Sequence, residues 1–515
     1  MTNRKRFFIN GIMLTAVGLA VRGVTLAFNS YVVQKIGAEG MGLFTLIGTV
    51  YAFAVTFATS GISLTVTRLT ASLIGEDKRG EARGVLRSSV IYSLIFSSFA
   101  AAVLFFGAEY FSTSVLNDTR ACASLRVLSA SLIPLALSSV FTGYFIGVKR
   151  VGYNAVVQVL GQVFKIGITL YFINRFAELG VGEGALALSI SITLTELAVF
   201  LVALLQFLID KRRTLGGRAE GGTFHSVCGM ALPLAVSAYI RSALLTLEHV
   251  LIPKRLRDRG DSHSDALASY GVLHGMALPM LLYPMSPLSS FSGLLVPEFS
   301  ESMARGEKER SRRIATEALN TTLVYAISVM TFIYLFSEEI GYVVYSSYEA
   351  GKYIAMMAPV LPIMYLDHVT DSILKGIGEH VYSMWVNISD SLLSVILVWV
   401  LIPKMGIAGY AVVIMVMEGY NFTLSALRLR RRIKFKIHLI KSVLLPSAAA
   451  FISASISKRI FIKMGGSVAP VWLLLEISFA VCAFFAIYLS LKLLCDALSE
   501  RYRSRKNHIA TTDLP

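Results

Sequence analysis

The chain has 515 residues, of which 55% are apolar and only 16% charged, and its mean hydropathy is +0.66. A soluble multidomain protein carries nearer a quarter charged residues, so that class is excluded and a polytopic membrane protein is indicated. The net charge of +16 is spread over short polar segments between apolar blocks, the pattern of positive-inside topology and not that of a nucleic-acid binder.

The apolar blocks are about 20 residues long, enough for a helix to cross about 30 Å of hydrocarbon. Ten-residue alternating strands, the mark of a transmembrane β-barrel, are absent from the pattern. The expected fold is therefore all-α. Spans are predicted near residues 7–33, 42–72, 85–108, 121–148, 153–175 and 184–209, then 226–252, 266–296, 314–337, 352–376, 382–402 and 408–427, then 442–462 and 470–495, about fourteen in all. The start Arg4-Lys5-Arg6 before an apolar run resembles a signal peptide, but the run is long and lacks a small-residue cleavage site, so it reads as a retained first helix. Cys122, Cys228, Cys482 and Cys495 show no C-x-x-C spacing and read as small core residues.

With a cytoplasmic N-terminus, about 30 of the 48 Lys and Arg fall in cytoplasmic segments, including Lys78-Arg79, Lys149-Arg150, Lys211 to Arg213, Arg305 to Arg313, Arg428 to Lys441 and Arg501 to Lys506. Both termini are thus expected in the cytoplasm. Pro253 to Asp265, with four cations, is the exception on the outer side. Asp261, His263 and Asp265 there read as a solvated polar loop rather than metal ligands.

An internal repeat divides the chain. Ala20-Val21-Arg22 followed by Asn29 is echoed by Tyr239-Ile240-Arg241 followed by Glu248; Gly42-Leu43 to Arg68 is echoed by Gly271-Val272 to Glu298. Each copy holds six helices, an even number, which implies a pseudo-two-fold axis along the membrane normal with the substrate path between the copies. The expected organisation is a lobe over 1–210, a second over 211–427, a basic interfacial linker over 428–441, two extra helices over 442–495 and a cytoplasmic tail over 496–515. Pro233, Pro279, Pro284, Pro287, Pro359 and Pro362 fall inside second-lobe spans, where they are expected to bend helices.

A guanidinium near the bilayer centre costs several kcal/mol or more unless it faces protein or a wet cavity. Arg22 and Arg241 are the two hardest to explain as interfacial; Arg68 and Lys165 are weaker candidates. Together with Asn29 they would form a cationic central cavity suited to an anionic head group, since arginine's planar fork holds two phosphate oxygens. The competing structural reading is that nearby carboxylates neutralise Arg22 and Arg241. Asp367, Asp371 and Lys375 follow at i,i+4 spacing, consistent with an Asp371–Lys375 ion pair. Glu248, Asn387 and Asp390 offer oxygens for a coupling Na⁺ or a proton relay. The linker Arg428–Lys441 mixes cations and apolar residues, fitting either a topogenic cluster or a segment on the anionic inner leaflet. No nucleophile elbow, phosphate loop or zinc spacing is present, so no enzyme is expected.

The opening Arg6-Phe7-Phe8-Ile9-Asn10-Gly11-Ile12-Met13-Leu14-Thr15, the stretch Gln34 to Phe44 and Gly61-Ile62-Ser63 leading to Arg68 resemble the polysaccharide-transporter branch of the multidrug/oligosaccharidyl-lipid/polysaccharide (MOP) flippase superfamily. Within it they most resemble the stage V sporulation protein B group, similar in architecture to the lipid II flippases. The resemblance implies a polyprenyl-pyrophosphate-linked sugar as cargo, a peptidoglycan precursor such as lipid II for spore cortex, turned from the inner to the outer leaflet of the bacterial cytoplasmic membrane. It implies a cationic cavity supplied by Arg22, Arg68 and Arg241, a lipid-tail groove against the last two helices, membrane lipids and cell-wall synthases as partners, and no cofactor beyond Na⁺ or membrane-potential coupling. A drug/cation antiporter would carry an acidic residue in the first helix, where only Arg22 is charged beyond the N-terminal cluster. A glycosyl polymerase would need large outer loops bearing acids or histidines; a non-transporting scaffold of cortex synthesis is neither supported nor opposed.

Overall fold

The computed structural model describes residues 3–59, 61–214, 223–464 and 470–512, with side chains described for most of residues 23–495. Among them every regular element is helical: α1 Asn3–Thr59, α2 Ile62–Gly75, α3 Arg79–Phe106, α4 Ala121–Ser129, α5 Leu132–Gly147, α6 Val151–Phe176, α7 Val181–Thr214, α8 Thr223–Arg259 and α9 His263–Gly271. The rest are α10 Ser286–Ala304, α11 Lys308–Leu335, α12 Ser337–Tyr345, α13 Tyr348–Met357, α14 Leu361–Gly376, α15 His380–Met405, α16 Ile407–Arg432, α17 Leu445–Lys463 and α18 Pro470–Thr512.

By length and apolarity, eleven helices among the described residues can cross a membrane, or up to twelve if the pair α4 and α5, bent by 43°, is one crossing. The expected fourteen are not recovered one for one, and the backbone shows why. The stretch Gly23–Gly75 counts once although it holds 53 residues, roughly 80 Å of helix at 1.5 Å per residue and more than twice the hydrocarbon thickness. It is interrupted at Gly37 (φ 72°, ψ 178°), a conformation open essentially to glycine alone, and it holds the break between α1 and α2, where Gly61 at φ 78° precedes α2. The span expected over 352–376 is divided into α13, 10 residues, and α14, 16 residues. A 3₁₀ turn at Ala358–Val360 separates them, where Pro359 lacks a donor and Pro362 opens the next helix.

The chain forms two compact units: residues 1–30, 276–386 and 411–515 in one, and residues 31–275 and 387–410 in the other.

In the first unit, the segment between α9 and α10 is a π-helical turn at Val272–Ala277, a five-residue helix Leu278–Leu282 and a 3₁₀ turn at Tyr283–Met285, of which residues from 276 onward belong here. Pro279, Pro284 and Pro287 account for the disruption, since each removes a helix donor. Pro233, in contrast, sits within the continuous α8. Carbonyls in the disrupted stretch take tyrosine hydroxyls from neighbouring helices: Tyr325 of α11 donates to Pro284 O (2.5 Å) and Tyr365 of α14 to Leu281 O (3.1 Å). Such partners are what make broken backbone tolerable at membrane depth. Replacing both tyrosines with phenylalanine is expected to destabilise the protein by about 1 kcal/mol per bond lost, read as a lower midpoint of thermal unfolding in detergent.

The last two helices, α17 and α18, pack through Ala449, Ala450 and Phe484, with Phe332 of α11 against them. Ahead of them α16 extends to Arg432, so the first residues of the basic linker are helical, and residues 434–438 are not. Glu379, between α14 and α15, pairs with Arg428 (2.8 Å) and Arg432 (2.6 Å). The hydrogen bond from Arg428 holds the Glu379 carboxyl below the usual range.

In the second unit, α1 and α9 cross at Gly42 and Gly271. A Cβ on Gly42 would meet the Leu267 carbonyl, and one on Gly271 would meet the Ala38 carbonyl and Gly42 itself. Ala38 and Gly42 are four residues apart, the small-residue spacing by which membrane helices approach backbone to backbone. Gly42 and Gly271 are also the two positions that the expected sequence repeat pairs.

A charged cluster links separate segments of this unit. Asp118, buried between α3 and α4, accepts from Arg120 (2.7 Å) and pairs with His263 Nε2 (2.9 Å); Arg120 also reaches Glu39 (2.8 Å), which accepts from Ser264 (2.7 Å). His263 is thus engaged with a carboxylate, while Asp265 takes the Ser262 hydroxyl at the start of α9. No cluster of His, Cys, Asp and Glu suited to a metal occurs among the described residues. Burial pushes the Asp118 carboxyl upward, but hydrogen bonds from Arg120 and His263 outweigh it and leave it below the usual range. A lowered folded-state value stabilises the fold above the unfolded carboxylate pKa of about 3.9, and the contribution disappears as pH falls through the lowered value. Asp118→Asn should therefore cost about 1–3 kcal/mol at neutral pH, since it leaves Arg120 underpaired. The gap to the parent protein should narrow below about pH 4 in melting curves taken across pH.

Candidate substrate and ion site

Arg241 and Glu248 lie two turns apart on α8 and meet different surroundings. Arg241 is exposed, and among the described residues it makes no ion pair. Glu248 is buried at 6% exposure. Its carboxylate accepts from Tyr410 Oη of α16 (3.2 Å) and from the hydroxyl of Ser394 on α15. One turn before Ser394, Asp390 feels the charges of both Glu248 and Arg241. One Asp390 carboxylate oxygen is buried without a hydrogen-bond partner among the described residues. Asn387, a turn further back, is half-buried, and its carbonyl takes the Ser391 hydroxyl (3.0 Å). Helices far apart in sequence thus bring together Arg241, Glu248 and Asp390, with Asn387 on the same helix as Asp390.

An aromatic and imidazole layer adjoins the carboxylate. His274, in the π-helical turn, has its ring 5.3 Å from that of Tyr410 and 4.6 Å from those of His249 and Tyr270. His249 Nδ1 and Tyr270 Oη are 3.0 Å apart. Tyr410, Ser394, His249, Tyr270 and His274 were not among the sequence candidates. The one available signal was that each is a polar group on an apolar span, which is too common to single them out.

The other candidates are placed as follows. Arg68 is exposed on α2. Lys165 is exposed on α6, with Glu196 of α7 as the carboxylate that feels its charge. Asn29 is half-buried on α1 beside the Tyr345 hydroxyl of α12. The Arg22 side chain lies outside the described residues, on a helical backbone. Asp367 and Asp371 belong to the first unit, and Asp371 pairs with Lys375 at 2.6 Å.

The carboxylates of Glu248 and Asp390 offer oxygen donors, suited to a hard cation. A single exposed guanidinium beside them is suited to phosphate oxygens. The unpartnered Asp390 oxygen is the observation that fits such a cation.

Comparison with known proteins identifies the family of the chain. The family model described as polysaccharide biosynthesis protein matches residues 8–303, and the model named MatE matches residues 260–400. "Stage V sporulation protein B" of Bacillus subtilis is 25% identical over 500 residues, covering 95% of either chain. Among solved structures, "Lipid II flippase MurJ, inward closed conformation" superposes with a TM-score of 0.72 at 14% identity, over 94% of this chain and 100% of that one. An inward-facing multidrug resistance MATE family transporter of the MOP superfamily gives 0.63 at 16% identity, over 80% of this chain and 95% of that one. The all-helical, multi-pass architecture is therefore the fold of these two solved transporters, and the chain belongs to the polysaccharide biosynthesis protein family.

Proposed function

We propose that this protein turns a polyprenyl-pyrophosphate-linked saccharide, lipid II destined for spore cortex, from the inner to the outer leaflet of the bacterial cytoplasmic membrane, with both termini cytoplasmic. The observation that carries the reading is Arg241: an exposed guanidinium on a membrane-length helix, without an ion-pair contact among the described residues. A cation in that position needs an anion or a wet cavity. In the alternating-access cycle Arg22 and Arg241, helped by Arg68, Lys165 and Asn29, take the pyrophosphate; the lobes 1–210 and 211–427 rock. The head group leaves outside, and the prenyl tail stays in lipid along the helices of 442–495.

Glu248, Asp390 and Asn387 would hold a coupling Na⁺, whose single charge would offset one of the two carboxylates. Moving each negative charge outward from a negative cytoplasm gains about 2.3 kcal/mol per 100 mV, so membrane potential can also drive release or resetting. The test is leaflet translocation of labelled lipid II by the purified protein in proteoliposomes, with and without an imposed potential and with Na⁺ exchanged for K⁺. Potential-dependent translocation is the expected result. No translocation under any gradient would overturn the substrate assignment.

A further inference from the structure

The linker that joins α16 to the last two helices is a built surface. Asn320 of α11 grips it at both polarities: its amide nitrogen donates to Lys436 O (2.8 Å), and its oxygen accepts from His438 N (2.8 Å) and from Ser442 Oγ (2.7 Å). Thr316 Oγ1 accepts from Lys436 N (3.2 Å). The grip resembles what a neighbouring strand would offer, and burial alternates accordingly: Ile433 inward, Lys434 outward, Phe435 half-buried, Lys436 outward.

The cations divide into two groups. Glu379 pairs with both Arg428 and Arg432. Arg430, Arg431, Lys434 and Lys436 are exposed, and among the described residues none is in an ion pair. Beside them stand exposed aliphatic side chains, Leu439 at 66%, Ile440 at 60% and Leu444 at 62%. A solvated linker has no use for a pinned backbone with bare aliphatics. Cations interleaved with aliphatics on a fixed edge match a leaflet that is anionic at its surface and apolar beneath.

We propose that this strap docks anionic phospholipid: Arg430, Arg431, Lys434 and Lys436 hold headgroup phosphates while Leu439, Ile440 and Leu444 enter the acyl region. The inference needs only that the chain is embedded in a membrane, so it stands or falls separately from the transported substrate. The experiment takes the full-length protein from phosphatidylcholine vesicles containing a minority of phosphatidylglycerol and measures by mass spectrometry which lipids stay bound after detergent extraction. The parent should be enriched in phosphatidylglycerol. The variant R430Q/R431Q/K434Q/K436Q should lose that enrichment at least about fivefold, the factor for a single surface cation. Glu379→Gln frees two more guanidiniums and should raise enrichment, a gain that misfolding does not produce. A control, K78Q/R79Q/R305Q/R313Q, removes as many exposed cations elsewhere and should leave enrichment unchanged. Equal loss in the control, no loss in the strap variant, a fall with Glu379→Gln, or displacement by inorganic phosphate at matched ionic strength would each overturn the proposal.

Discussion

Replacing Arg22 and Arg241 together by alanine is expected to abolish lipid II translocation while the protein still inserts and purifies as the parent does. A charge-assisted hydrogen bond to an anionic partner is worth about 1.5–3 kcal/mol, so each arginine accounts for roughly a tenfold to hundredfold change in initial rate. The double variant should fall below detection. Single Arg→Lys changes should retain part of the rate, because a lysine keeps the charge and loses the fork. Arg241 also stands in the field of Asp390, so a purely structural role predicts something different. On that reading Arg241→Ala would be rescued by neutralising Asp390 as well, and transport would return in R241A/D390N. Unchanged translocation in the double arginine variant, or full rescue by Asp390→Asn, would sink the cavity assignment.

A second large effect is expected where α1 and α9 cross. Membrane helices associate without a hydrophobic driving force between them, so close backbone packing carries much of the association. At Gly42 and Gly271 any side chain would overlap backbone of the facing helix, and backbone cannot turn aside as a flexible side chain can. Gly271→Leu should cost about 3 kcal/mol or more, beyond ordinary overpacking, and the protein should fail to accumulate in the membrane. Gly271→Ala and Gly42→Ala should each accumulate with a visibly lower melting midpoint. Gly75, with open space where a Cβ would go, should accept alanine without penalty. Equal midpoints for Gly271→Ala and Gly75→Ala would show that the crossing yields more easily than its geometry implies.

Composition and hydropathy period settled the class and most helix positions, because a span announces itself by its own length and apolarity, and lipid leaves the backbone no alternative to helix. Gly37 illustrates how a local feature stays legible: only glycine suits its backbone, and it falls where the sequence separates the first two spans. Gly42 and Gly271, which the repeat reading pairs, meet in the fold. Breaks inside spans were harder to read: Pro284 and Pro359 sit at 3₁₀ turns while α8 runs through Pro233. Whether a proline breaks a helix depends on what neighbours offer the displaced carbonyls. Only the tertiary structure decided that Tyr410 and Ser394 reach Glu248, that Asp390 feels Arg241, and that Asn320 holds the basic strap. Those partners come from different helices, and a helix's own sequence records which face is polar without recording what that face will meet.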